Sequence, residues 1–134
     1  MNGPSYSRRA KTALIVSTDS LGAALVGAAT ELAGFRVAYL LDEEAILDGV
    51  RRTKPLLVLV DATHTIAGDA TSLGPALMTG AAVVFFGRAE RLRDTRIVAA
   101  VAHASTIALP EELDRLPGLL TSIAARQGQR RSSE

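Results

Sequence analysis

Apolar residues fall into short continuous runs separated by stretches of helical period. Thr12–Val16 (Thr-Ala-Leu-Ile-Val) reads as a strand buried on both faces. Ser20 offers an N-cap hydroxyl; Leu21, Leu25, Ala29, Leu32 and Ala33 then recur at helical spacing, and Gly34 is placed to end that helix in a left-handed cap. Arg36–Leu41 reads as a second strand. Asp42, Glu43 and Glu44 at the start of a second helix, and Arg51, Arg52 and Lys54 at its end, match the helix dipole, with Pro55 as the stop. Leu56–Val60 is a third strand. Gly68, Gly74, Pro75 and Gly80 leave room for only a short third helix, Leu73–Met78. Ala82–Phe86 is a fourth strand, Glu90–His103 a fourth helix and Thr106–Leu109 a short fifth strand. Pro117 is tolerated in a first turn, so the last helix is predicted from Asp114 to Arg126. Residues 1–11 read as a flexible basic segment, 12–126 as one domain and 127–134 as a polar, disordered tail or linker.

Strands alternating with helices predict an α/β fold with a parallel sheet covered on both faces. Right-handed crossovers favour a flavodoxin-like doubly wound three-layer sandwich with strand order 2-1-3-4-5. A site in such a fold belongs at the carboxyl ends of the strands beside the switch point. Ser17, Thr18, Asp19, Asp61, His64 and Gly87 share that rim.

Composition narrows the chemistry. The chain has no cysteine among its 134 residues, which excludes thiolate catalysis, Cys-based zinc and iron–sulfur sites. No uncharged apolar run approaches the ~20 residues that span a bilayer, and the pattern predicts a cytoplasmic domain. Three cations in residues 1–11, and three against Glu134 in 126–134, leave the ends at +5 and the middle at −4, for a net +1. A mildly acidic body between basic ends does not predict direct nucleic-acid binding, and no membrane contact is expected.

Asp61 ends the central strand, where a carboxylate can accept a phosphoryl group or ligate Mg²⁺, or simply cap the following loop. Ser17, Asp61 and His64 suggest a hydrolase triad, but no Gly-x-Ser-x-Gly elbow is present, and His64 reads better as a loop residue. Ser17–Gly22 precedes a helix and could cradle phosphate as a flavodoxin loop does, although it lacks glycine density. A small flavodoxin-like ligand-binding domain is therefore one alternative. His103 sits at a predicted helix end, suited to exposed carbonyls rather than to a metal.

Over residues 12–125 the pattern resembles the receiver domain of bacterial two-component response regulators. Ala13-Leu-Ile-Val16 is followed by Ser17-Thr18-Asp19, where the family reads Asp-Asp-Glu/Asp. The spacing runs without a gap through Gly34-Phe35 and Lys54-Pro55 to Asp61, on the family's phosphoacceptor aspartate. Gly87 falls on its Thr/Ser after the fourth strand, and Leu109-Pro110 on its Lys-Pro.

The departures define the expectation. The family's acid pair for Mg²⁺ becomes Ser17 and Thr18, with Asp19 one position outside it. Its lysine becomes Leu109, its switch hydroxyl Gly87 and its aromatic switch residue Thr106; Thr65 stands in place of a proline. Phosphoryl transfer rests on positioning and charge neutralisation, so these losses remove most of the apparatus. Ser17 and Thr18 can instead donate to Asp61 in a self-satisfied cluster. The resemblance thus implies a pseudo-receiver: no enzyme and no cofactor, signalling by protein–protein contact with a partner or effector domain. The alternative is a phosphoacceptor that uses Asp61 with an unusual Mg²⁺ site. Arg88, Arg91 and Arg96 on the fourth helix lie opposite Glu111 and Asp114 near the fifth, on what is in receivers the usual dimer and partner face. Their opposite charges suit a homodimer across a two-fold axis.

Overall fold

Continuous apolar strands joined by helical crossovers make a parallel sheet, and the computed structural model has one. It describes residues 11–63, 80–93 and 105–133, with side chains through 127. The strands are β1 (Thr12–Val16), β2 (Arg36–Tyr39), β3 (Leu57–Asp61), β4 (Ala82–Gly87) and β5 (Ser105–Ala108). They lie in the order β2-β1-β3-β4-β5, all parallel, as predicted. Every residue of β1 and β3 is buried. Alternation splits their side chains between two cores. Ile15, Leu59 and Phe86 face helices α1 (Ser20–Leu32) and α4 (Leu116–Ser133); Leu14, Val60 and Phe85 face α2 (Ile46–Thr53). A short α3 (Ala89–Leu92) follows β4.

Helix α1 starts one residue earlier than the Ser20 cap implied. Asp19 is the N-cap, its Oδ1 accepting from Leu21 N at 3.1 Å. Gly34 does close the helix, at φ +94°. The leucines of the helical pattern face outward: Leu21, Leu25 and Leu32 are 70%, 43% and 84% exposed. The buried face is Ala23, Val26, Gly27, Ala29 and Thr30. Both sets fit a 3.6-residue period, so period alone does not choose between them. Proximity does: a Cβ on Gly27 would stand 2.5 Å from Tyr39 Oη and 3.6 Å from Ile15 Cδ1.

The second helix is shorter than predicted. Asp42–Glu44 form a turn before it, with Glu43 at φ +65°. Glu44 accepts from Leu41 N at 3.0 Å and binds Arg52 through both carboxylate oxygens at 2.9 Å. Arg52 also reaches Tyr39 O at 3.0 Å, so the α2 end is pinned to the β2 end. Glu44 thus serves a side-chain clamp instead of the helix dipole. The third helix expected at Leu73–Met78, and the fourth beyond Arg93, lie outside the described residues, as do residues 1–10.

The last helix overturns the predicted tail. After a 3₁₀ turn (Leu113–Arg115), α4 runs to Ser133, seven residues past Arg126. Gln127 is buried, and its Nε2 donates to Leu56 O at 3.1 Å and Gly80 O at 2.7 Å. A polar side chain that ties down two carbonyls ahead of β3 and β4 holds the helix where composition suggested a linker. Among the described residues, no helix is long and apolar enough to cross a membrane.

Two predictions follow from these contacts. Gln127→Ala, which removes a donor from Gly80 O and leaves Leu56 O with Ala82 N alone, should lower the unfolding free energy by ~1–3 kcal/mol in urea titrations. The Arg52 hydrogen bonds, reinforced by Leu41 N–H, lower the Glu44 pKa from 4.5 to about 2. Such a depressed carboxylate stabilises the fold above the unfolded value and loses that contribution as pH falls through the folded one. The stability difference between the wild type and Glu44→Gln should therefore be constant near neutrality and shrink between pH 4.5 and about 2.

Candidate functional site

The carboxyl ends of β1, β3 and β4 surround Asp61, the last residue of β3, which is 4% exposed. A buried carboxylate needs donors. Ser17 Oγ donates to Oδ2 at 2.8 Å; Thr63 N and Thr63 Oγ1 both donate to Oδ1 at 2.8 Å. Ser17 Oγ also accepts from Asp19 N at 3.0 Å. One hydroxyl thus links the central carboxylate to the turn that opens α1.

The predicted cluster is only partly correct. Ser17 does bond Asp61. Thr18 does not: it is exposed and turned toward a separate depression lined by Ser20, Ala23, Tyr39 and Asp42. Thr63 takes the second donor role, unforeseen in the sequence. A threonine two residues after an aspartate, on the turn leaving a strand, is the available signal for it. Asp19 caps α1 and stands outside the carboxylate cluster.

Above Asp61 opens a cleft of ≈ 820 Å³. Leu21, Leu25, Phe86, Leu109 and Pro110 form apolar walls, with Asp19, Glu90, Arg88 and Arg91 also lining it. Leu109, partly buried against the core, brings no charge to the carboxylate. Gly87 also lines the cleft. It sits at φ +153°, where an added Cβ would crowd Ala62 Cβ at 3.1 Å, so the backbone favours glycine and the space is tight. Thr106 is exposed on the edge strand and does not line the cleft.

Of the charged-face residues, Arg88 and Arg91 have no ion-pair partner among the described residues, while Glu111 and Asp114 are exposed. Arg96, His64 and His103 lie outside the described residues. The adjoining Glu112 pairs with Arg115 and accepts from Ala108 N at 2.8 Å. That backbone bond leads the interactions lowering its pKa.

The Mg²⁺ implied by the receiver resemblance does not fit these residues. Magnesium is recruited by charged oxygens. Both Asp61 oxygens are occupied by protein donors, and neutral Ser17 takes the place of a second carboxylate. Among the described residues, no group of three His, Cys, Asp or Glu side chains could hold a metal ion.

No family model matches the chain, and no curated protein matches it in sequence. Solved structures do match in fold. The signal receiver domain of a LuxO repressor protein from Vibrio parahaemolyticus superposes at TM-score 0.72 with 14% identity, covering 94% of this chain and 98% of that one. NtrX from Brucella abortus gives 0.69 and 17%, over 93% of this chain but 29% of its own. The anti-anti-sigma factor PhyR from Bartonella quintana gives 0.68 and 16%, over 96% of this chain and 53% of its own. The chain has the receiver-domain fold.

Substitutions at two positions test this reading of the site. Ser17→Ala removes the one donor to Asp61 Oδ2 among the described residues and should cost ~1–3 kcal/mol of stability. Gly87→Thr, which would restore a switch hydroxyl, should destabilise by a similar ~1–3 kcal/mol through φ strain and the clash with Ala62. Chemical denaturation of both variants measures these losses.

Proposed function

We propose that this receiver-fold domain is a pseudo-receiver, a signalling module that acts by protein–protein contact and has given up the phosphorylation switch. The observation that carries this reading is that both Asp61 oxygens accept hydrogen bonds from neutral donors, Ser17 on Oδ2 and Thr63 on Oδ1. An incoming phosphoryl group would have to displace those donors. Leu109 stands at the position of the receiver family's lysine and neutral Ser17 in its acid pair, a deficit of several kcal/mol of charge neutralisation in the transition state. Leu109 adds an apolar wall where that charge is required.

Response regulators relay signals to protein partners or attached effector domains, and the fold likeness supports such partners here. The likeness to about half of an anti-anti-sigma factor and to less than a third of NtrX points the same way. Arg88 and Arg91, free of ion pairs among the described residues, with Glu111 and Asp114 beyond the β5 end, offer a polar surface to such a partner. Charges placed this way govern encounter and register more than affinity.

The test is amide NMR of the protein with Mg²⁺ and beryllofluoride, a phosphoryl mimic, with Asp61→Asn as control. No saturable shift should appear around Asp61 at about 10 mM Mg²⁺, where weak (millimolar) metal binding would be visible. Saturable shifts abolished in the control would instead establish a working phosphoacceptor.

A further inference from the structure

The cleft above Asp61 is apolar on its walls and cationic on one rim. Leu21 and Leu25 line it from one face of α1, and Phe86, Leu109 and Pro110 line it from the ends of β4 and β5. The rim after β4 carries the cations. Arg91 N donates to Arg88 O at 3.0 Å, so these two residues close a single turn, and both line the cleft. Neither has an ion-pair partner among the described residues. Like charges three positions apart on one turn repel, and an anion seated between them removes that repulsion.

The acids of the cleft do not fill that role. Asp61 accepts from Ser17 and Thr63, and Asp19 caps α1. Glu90 stands between the two arginines in sequence, but residues one and two positions apart do not face each other on a turn, and it forms an ion pair with neither.

We propose that the cleft binds a small amphipathic carboxylate, its charged end held by Arg88 and Arg91 and its apolar body laid between the α1 leucines and Leu109-Pro110. The planar guanidinium fork matches a carboxylate through paired hydrogen bonds. At ≈ 820 Å³ the cleft lies within the ~300–1,000 Å³ of small-molecule sites, which are mostly apolar with a few placed polar groups. A bare inorganic anion would leave Leu21 and Leu25 in water, and a neutral hydrocarbon would leave both arginines unpaired. The proposal rests on the pseudo-receiver reading in one respect: a cleft released from phosphoryl chemistry is open to a ligand as its input. Occupancy would neutralise two of the charges that the same surface offers a protein partner, which links ligand to output.

Amide NMR of the full chain tests it, with naphthoate as the probe, naphthamide as its neutral counterpart and inorganic phosphate as the bare anion. Naphthoate should give saturable shifts at Leu21, Leu25, Gly87, Arg91 and Leu109 with a Kd of about 1 mM or below. Naphthamide and phosphate should each bind at least ~10-fold more weakly, the first lacking the charge and the second the apolar body. Arg91→Gln and Leu25→Ser should each weaken naphthoate at least ~5-fold, with thermal unfolding unchanged because both side chains are exposed. Arg93→Gln, exposed but outside the cleft lining, should bind as wild type. No saturation by about 10 mM naphthoate, equal binding of naphthamide or phosphate, or unchanged binding in either cleft variant would overturn the proposal. Beryllofluoride separates the two readings. A response abolished in Asp61→Asn would strike the pseudo-receiver, whereas silence toward both beryllofluoride and naphthoate would strike the ligand site alone.

Discussion

A carboxylate buried at the end of a central strand constrains everything around it. Asp61 is out of water, and each of its oxygens must find a donor or incur a large desolvation cost. Ser17 and Thr63 meet that demand from the residues that follow β1 and β3. Because Ser17 also receives the Asp19 amide, and Asp19 caps α1, the carboxylate organises the start of the first helix as well. At the switch point of the sheet the carboxylate accepts from two hydroxyls and one amide.

The same economy of charge extends across the carboxyl edge. Leu109 packs against the core at the position of the receiver family's lysine, and a Cβ on Gly87 would crowd Ala62 Cβ at 3.1 Å. The ionic interactions of the described residues stand elsewhere, at Glu44–Arg52 beside the β2 edge and at Glu112–Arg115 beyond β5. Those pairs shape the connections at the two margins of the sheet.

Much of this was legible in the residues. Unbroken apolar runs identified the strands, because a strand covered on both faces has no polar side to show. The spacing without a gap from Ser17 to Asp61, and the interval from Gly87 to Leu109, carried the resemblance that pointed to this rim. Two elements misled. The polar composition after Arg126 suggested a tail, yet the buried Gln127 finds backbone carbonyls 71 and 47 residues away in sequence. The acids at Asp42–Glu44 suggested a helix start, yet Glu44 serves Arg52 eight residues on. In each case a hydrogen-bond partner supplied by another element outweighed local propensity.

The sequence by itself determined the strand order, the position of Asp61 and the absence of its charged companions, since each follows from hydrophobic period, spacing and residue identity. Tertiary structure alone decided which hydroxyl reaches the carboxylate, Thr63 rather than Thr18, and which face of α1 is buried. Period constrains a helix only up to rotation about its own axis. The 2.5 Å approach of Tyr39 Oη to a Cβ position on Gly27 turns the small residues inward and leaves the leucines in water.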